Sequence, residues 1–112
     1  MLRRASPNPF PRHRPGQLPT RVLVLLNMVG PGEADEELES EVACECQSKY
    51  GRVTRVTAVE AAQGVRIFVA FGSPMEAMKA HAGLNGRFFG GRKVVANFFS
   101  PERFERGDLH TP

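Results

Sequence analysis

Several things are scarce in this chain, and each scarcity removes a class of function. Among 112 residues there are two cysteines and three histidines. Cys44 and Cys46 stand one residue apart inside a helical pattern. Their side chains therefore leave on different faces, cannot bridge one another, and lack the spacing of a zinc site. They are expected to be reduced thiols, with at least one packed in the core. His13, His81 and His110 are scattered through the sequence, so no metal site is expected, and His81 is read as a partly buried packing residue. No apolar run outlasts Val22–Leu26 before Asn27 interrupts it, against the ~20 residues that a membrane span needs. The first residues carry Arg and Pro but no apolar stretch of a secretory leader. A soluble, intracellular protein is the expectation. With no nucleophile–base pair and no phosphate-cradling loop, neither catalysis nor a cofactor is expected.

Charge is missing one sign at a time. Residues 1–21 hold five arginines and no acid, and residues 22–48 hold seven acids and no Lys or Arg. Residues 49–112 return to ten basic and five acidic groups, for a net charge of +3 overall. An acidic island in a basic chain points to a basic partner for that island more than to nucleic acid.

What remains is a pattern of short elements. Residues 1–19 contain five prolines and four arginines, a composition that cannot bury enough apolar area to offset ordering entropy, and are expected to form a disordered tail. Residues 21–28 read as a buried strand ended by Val29-Gly30-Pro31-Gly32. Asp35 is the expected N-cap of a helix in which Leu38, Val42 and Cys46 form the buried stripe, ending near Lys49 and Tyr50-Gly51. Glu41 and Glu45 stack on one face beside that stripe, and their mutual repulsion suggests a basic counterpart. A second strand holds Val53, Val56 and Val59, and a turn over 60–64 leads to a third strand, Val65–Phe71. There Ile67, Val69 and Phe71 share one face, and Arg66, Phe68 and Ala70 the other. Ser73-Pro74-Met75-Glu76 starts a second helix, and Ala77, Ala80, His81 and Leu84 continue its inner side. A last strand runs over Lys93–Phe98, after which Ser100-Pro101-Glu102 opens a brief helix that sets Phe104 against the sheet. The order βαββαβ is the α+β, ferredoxin-like split βαβ arrangement: a four-stranded antiparallel sheet with two helices on one face, plus a short C-terminal helix. The expected domain covers residues 20–106, followed by a tail at 107–112.

One stretch is unusual for a turn. Asn85-Gly86-Arg87-Phe88-Phe89-Gly90-Gly91-Arg92 places two adjacent aromatic rings between glycines and arginines, which suits either a plug for the core floor or part of a binding surface. On these residues alone both readings stand, and one ring, Phe88 before Phe89, is expected to plug the core.

The element order, with Leu84-Asn85-Gly86 before the last strand, resembles the RNA recognition motif, which stacks bases on aromatics of its sheet. Here Arg66 and Val24 stand at two of three stacking positions. At ~1–3 kcal/mol per stacked base, those losses leave Phe68, beside Arg66, as a weak RNA face. The run Asn27-Met28-Val29-Gly30, the acidic helix ending in Lys49-Tyr50-Gly51, Val65-Arg66-Ile67-Phe68 and the Arg87-Phe88-Phe89 element together resemble a U2-auxiliary-factor homology motif (UHM). That resemblance implies a nuclear module of pre-mRNA splicing that binds peptide in place of RNA. A ligand tryptophan would enter a pocket formed by Arg87, Phe89, Phe88 and Glu41, with Phe89 stacking on the indole and Arg87 pairing with Glu41. Asp35, Glu41 and Glu45 would receive the basic residues that precede the tryptophan. The implied partners are the branch-point-binding protein, the large subunit of the polypyrimidine-tract auxiliary factor, and the large scaffold subunit of the branch-site complex. A single-stranded RNA binder of the RRM type is the alternative.

Overall fold

The computed structural model describes residues 18–30, 32–61 and 64–109. The expected disordered tail through residue 17, His13, His110 and the last two residues lie outside them. Strand β1 (Val22–Leu26), strand β2 (Val53–Ala61) and strand β3 (Gly64–Phe71) alternate with helix α1 (Leu38–Lys49) and helix α2 (Pro74–Leu84). A two-residue pair follows, β4 (Phe88–Phe89) and β5 (Arg92–Lys93), before strand β6 (Val95–Phe99) and helix α3 (Pro101–Arg106). The main sheet has four strands in the order β2-β3-β1-β6, all antiparallel, with Leu23 opposite both Val69 and Phe98. The split βαβ arrangement is therefore present.

Each face of the sheet has its own core. On one side Leu23, Leu25, Ile67, Val69, Phe71 and Ala96 meet Leu38, Val42 and Cys46 of α1 and Ala77, Ala80 and Leu84 of α2. The two helices approach closely where Gly83 lies against Tyr50, so closely that a Cβ at 83 would sit 2.6 Å from the phenol oxygen. His81 is half-buried and stacks on Phe98 with ring centroids 4.8 Å apart. On the other side Val22, Val24, Phe68, Ala70 and Phe99 are covered by Phe104 of α3 and by Leu109 beyond it. The ordered structure thus continues past residue 106, since Gly107 ends α3 in the left-handed conformation (φ 78°) and returns the chain toward the sheet.

Capping explains where the helices begin. Ser73 accepts a hydrogen bond from the Glu76 amide with Pro74 at the first helical position, as the sequence predicts, and Ser100 does the same for Arg103. Helix α1 departs from expectation. Asp35 Oδ1 accepts from the Glu37 amide at 3.0 Å, which closes a turn ahead of the helix, and α1 starts at Leu38 with no side-chain cap. The second strand also runs further than expected, to Ala61, because its pairing with β3 continues to Ala61 opposite Gly64.

Candidate functional site: an acidic-rimmed apolar cavity

The end of β1, one face of α1 and the β4–β5 ribbon converge at a cavity of about 370 Å³. Met28, Val29, Leu38, Val42, Cys46 and Leu84 supply apolar lining, Phe89 closes one side, and the carboxylates Glu41 and Glu45 stand at its rim. Leu38, Val42 and Cys46 are spaced four residues apart, so they form one stripe of α1. Glu41 and Glu45 lie on the adjoining stripe. The helix therefore turns grease and charge toward the same opening.

The ribbon is built to present Phe89. Phe88 pairs with Lys93 and Phe89 with Arg92, so the two phenylalanine side chains leave on opposite faces. Gly90 and Gly91 have φ of 56° and 84°, the two consecutive left-handed residues that a tight two-residue hairpin turn requires. Asn27 and Arg92 fix which face turns inward. Arg92 Nη2 donates to Asn27 Oδ1 at 2.7 Å, and Asn27 Nδ2 donates to the Lys93 carbonyl at 2.9 Å. Asn27 itself sits at φ 66°, a left-handed conformation that asparagine tolerates better than most residues. The Arg92–Phe89 face is thereby held against the body of the domain.

That register corrects the expectation for Phe88. Its ring is 65% exposed and does not line the cavity, and Val94 and Leu84 fill the core beneath the ribbon instead. The expected Arg87–Glu41 pair is also absent among the described ion pairs. The Arg87 guanidinium lies 5.6 Å from the centroid of the Phe89 ring, within the range of a cation–π contact. Glu45 is paired instead with Lys49 at 2.6 Å. The hydrogen bond from Lys49 holds the Glu45 carboxyl below the usual carboxylate range against opposing desolvation, helped by the charges of Lys49 and Arg87. Asp35 is exposed and engaged in its turn, apart from the cavity lining. Of the residues singled out from sequence, the structure brings Glu41, Glu45 and Phe89 to one cavity with Arg87 beside it. The apolar floor was legible only as core, and its stripe position next to Glu41 and Glu45 was the available signal.

The expected RNA face is closed. Phe68 is fully buried, meeting Phe99 edge-on at 4.8 Å and Phe104 at 6.2 Å between centroids. Arg66 Nη1 donates to the Leu109 carbonyl at 3.3 Å, and Arg55 lies over the Phe104 ring. The reason is the brief helix that the sequence itself announces at Ser100-Pro101. It lies on the strand face where bases would stack.

Burial pushes the Cys46 thiol up to about 11, whereas Cys44 is exposed. A thiol reagent at neutral pH is therefore expected to modify Cys44 and spare Cys46 in the folded protein, and to reach both after denaturation, as mass spectrometry would show. Among the described residues no group of three or more His, Cys, Asp or Glu side chains is placed to hold a metal ion. No described helix is long and apolar enough to cross a membrane.

Fold and site together define an RRM-like domain with a covered sheet and an acidic-rimmed pocket on its helical side. Known proteins agree with that class. The chain is 52% identical over 98 residues to the DNA-damage-repair/toleration protein 111 of Arabidopsis thaliana, covering 81% of this chain and 25% of that protein. It is 48% identical over 96 residues to the poly(U)-binding-splicing factor PUF60 of Mus musculus, covering 79% of this chain and 17% of the relative. Human Splicing factor 45 is 46% identical over 96 residues, covering 81% and 24%. The chain thus spans a quarter or less of the length of these relatives. A solved RRM, that of RNA15, superposes with a TM-score of 0.60 at 24% identity, over 78% of this chain and 98% of that one, which shows the fold. No family model matches the chain. The chain is therefore a homologue of UHM-containing splicing factors and has the RRM fold.

Proposed function

We propose that this domain is a non-catalytic protein-interaction module of pre-mRNA splicing, acting in the nucleus on short linear peptides in which a tryptophan follows basic residues. The observation that carries this is the cavity itself, a pocket of about 370 Å³ with an apolar floor, an aromatic wall and two carboxylates at the rim. Pockets of a few hundred Å³ take a small, mostly apolar group, and an indole matches such a floor. The ring would stack on Phe89, with Arg87 free to swing over its other side. Glu41 and Glu45 would receive basic ligand side chains, and Asp35, earlier on the acidic segment, would meet charge further along the peptide. The interaction unit is taken as residues 20–106 together with the Leu109 contact. Fitting partners are splice-site recognition factors carrying such motifs: the branch-point-binding protein, the large subunit of the polypyrimidine-tract auxiliary factor and the large scaffold subunit of the branch-site complex. Burial of Phe68 beneath α3 favours peptide over RNA as the ligand.

Calorimetric titration with an Arg/Lys-rich tryptophan peptide, its Trp→Ala version and a uridine-rich oligonucleotide tests the proposal. Modest affinity for the tryptophan peptide alone is expected, falling with added salt because part of it comes from solvent-exposed charge. Equal affinity for the two peptides, or tighter binding of the oligonucleotide, would overturn it.

A further inference from the structure

The two rim carboxylates are not equivalent. Glu41 lines the cavity and makes no described ion pair or side-chain hydrogen bond. Glu45, one turn later, lines the same cavity but is held by Lys49 Nζ at 2.6 Å, both side chains being partly exposed. Lys49 does not itself line the cavity. An incoming cation therefore meets one vacant carboxylate and one already occupied.

We propose that Lys49 is a built-in competitor at the ligand site, so that a peptide cation must displace it to reach Glu45, with arginine the better replacement, whereas Glu41 is open to arginine or lysine. This rests on the peptide-pocket function proposed above. Exchange of one ammonium for another at Glu45 leaves the carboxylate with the same kind of single-point contact and returns Lys49 to water. A guanidinium gains more, because its planar fork donates two parallel N–H bonds to one carboxylate. Lys49 thus lowers the affinity of any cation for Glu45 at no cost to the free domain, where the Glu45–Lys49 spacing is an ordinary stabilising i,i+4 helix pair.

A two-by-two set of Lys49→Gln and Glu45→Gln variants, titrated with arginine- and lysine-bearing versions of the same tryptophan peptide, tests this. The wild type should prefer the arginine peptide. Lys49→Gln should tighten the arginine and lysine peptides alike by about two- to threefold, the scale of one exposed ion pair, and should not reduce the preference for arginine. In the Glu45→Gln background the same change at 49 should do nothing. Removal of a positive charge acts generally on a cationic ligand, so a gain that persists without Glu45, or no gain at all, would overturn the competitor role. The Trp→Ala peptide separates the two levels. If wild type binds it as well as the tryptophan peptide, the pocket function fails and the Lys49 role falls with it. If tryptophan is required but the cycle is flat, only the Lys49 role falls.

Discussion

Phe89→Ala is expected to weaken binding of a tryptophan peptide by about 2–4 kcal/mol, roughly 30-fold or more, the range of an interface hot spot. An aromatic stack contributes ~0.5–1.5 kcal/mol beyond area burial. Truncation also removes the wall of the cavity and lets water reach Met28 and Leu84, which share its lining with Phe89. The fold should survive, because Phe89 is only half-buried and sits on a two-residue strand outside the main sheet. Phe88→Ala is the matched control. It deletes the same ring one position away, from the opposite face of the ribbon, and should change affinity far less. Titration of both variants with one peptide, with circular dichroism to verify folding, settles the comparison. Loss of binding in Phe88→Ala with retention in Phe89→Ala would mean that the ligand reads the outer face of the ribbon.

The contrast between those two residues also shows what the sequence could and could not convey. Element order was legible because helices and strands are long enough to display their periods, and because Ser73-Pro74 and Ser100-Pro101 carry capping chemistry in their side chains. The acidic rim was legible as an unpaired run of like charge. The β4–β5 ribbon was not, since two-residue strands have no periodicity to read. Only Gly90-Gly91 hints at the turn. With the ribbon missing, Phe88 was assigned to the core although its side chain faces outward, while the assignment of Phe89 to a cleft agrees with the cavity. Asp35 was misplaced by the same kind of ambiguity, because an aspartate suits both a helix cap and the turn that precedes the helix. The Arg87–Glu41 pair was implied by the family resemblance, whereas Arg87 lies by the Phe89 ring and Lys49 takes Glu45 at the i,i+4 spacing of one helix.

The other large effect is expected on the opposite face of the sheet. Phe104→Ala should lower stability by about 3 kcal/mol, the low end for deleting a buried aromatic ring. Phe104 is 3% exposed and is the buried side chain of a six-residue helix. A helix that short has no independent stability, so loss of its anchor should release α3 as a unit. Leu109 then loses its seat, the Arg66 contact to the Leu109 carbonyl opens, and Phe68 meets water. Because these groups share one packing event, Leu109→Ala should cost less in the Phe104→Ala background than alone. Urea denaturation of the four variants measures both quantities. The acidic-rimmed cavity lies across the sheet from α3 and draws no lining residue from it, so affinity for the tryptophan peptide at a temperature where the variant is folded should be unchanged. The same variant bears on RNA. Uncovering Phe68 adds a single stacking ring, ~1–3 kcal/mol for one base, with Val24 and Arg66 still in place of its neighbours. Binding of a uridine-rich oligonucleotide should therefore remain weak, and a large gain would show that α3, and not the loss of sheet aromatics, is what keeps RNA away.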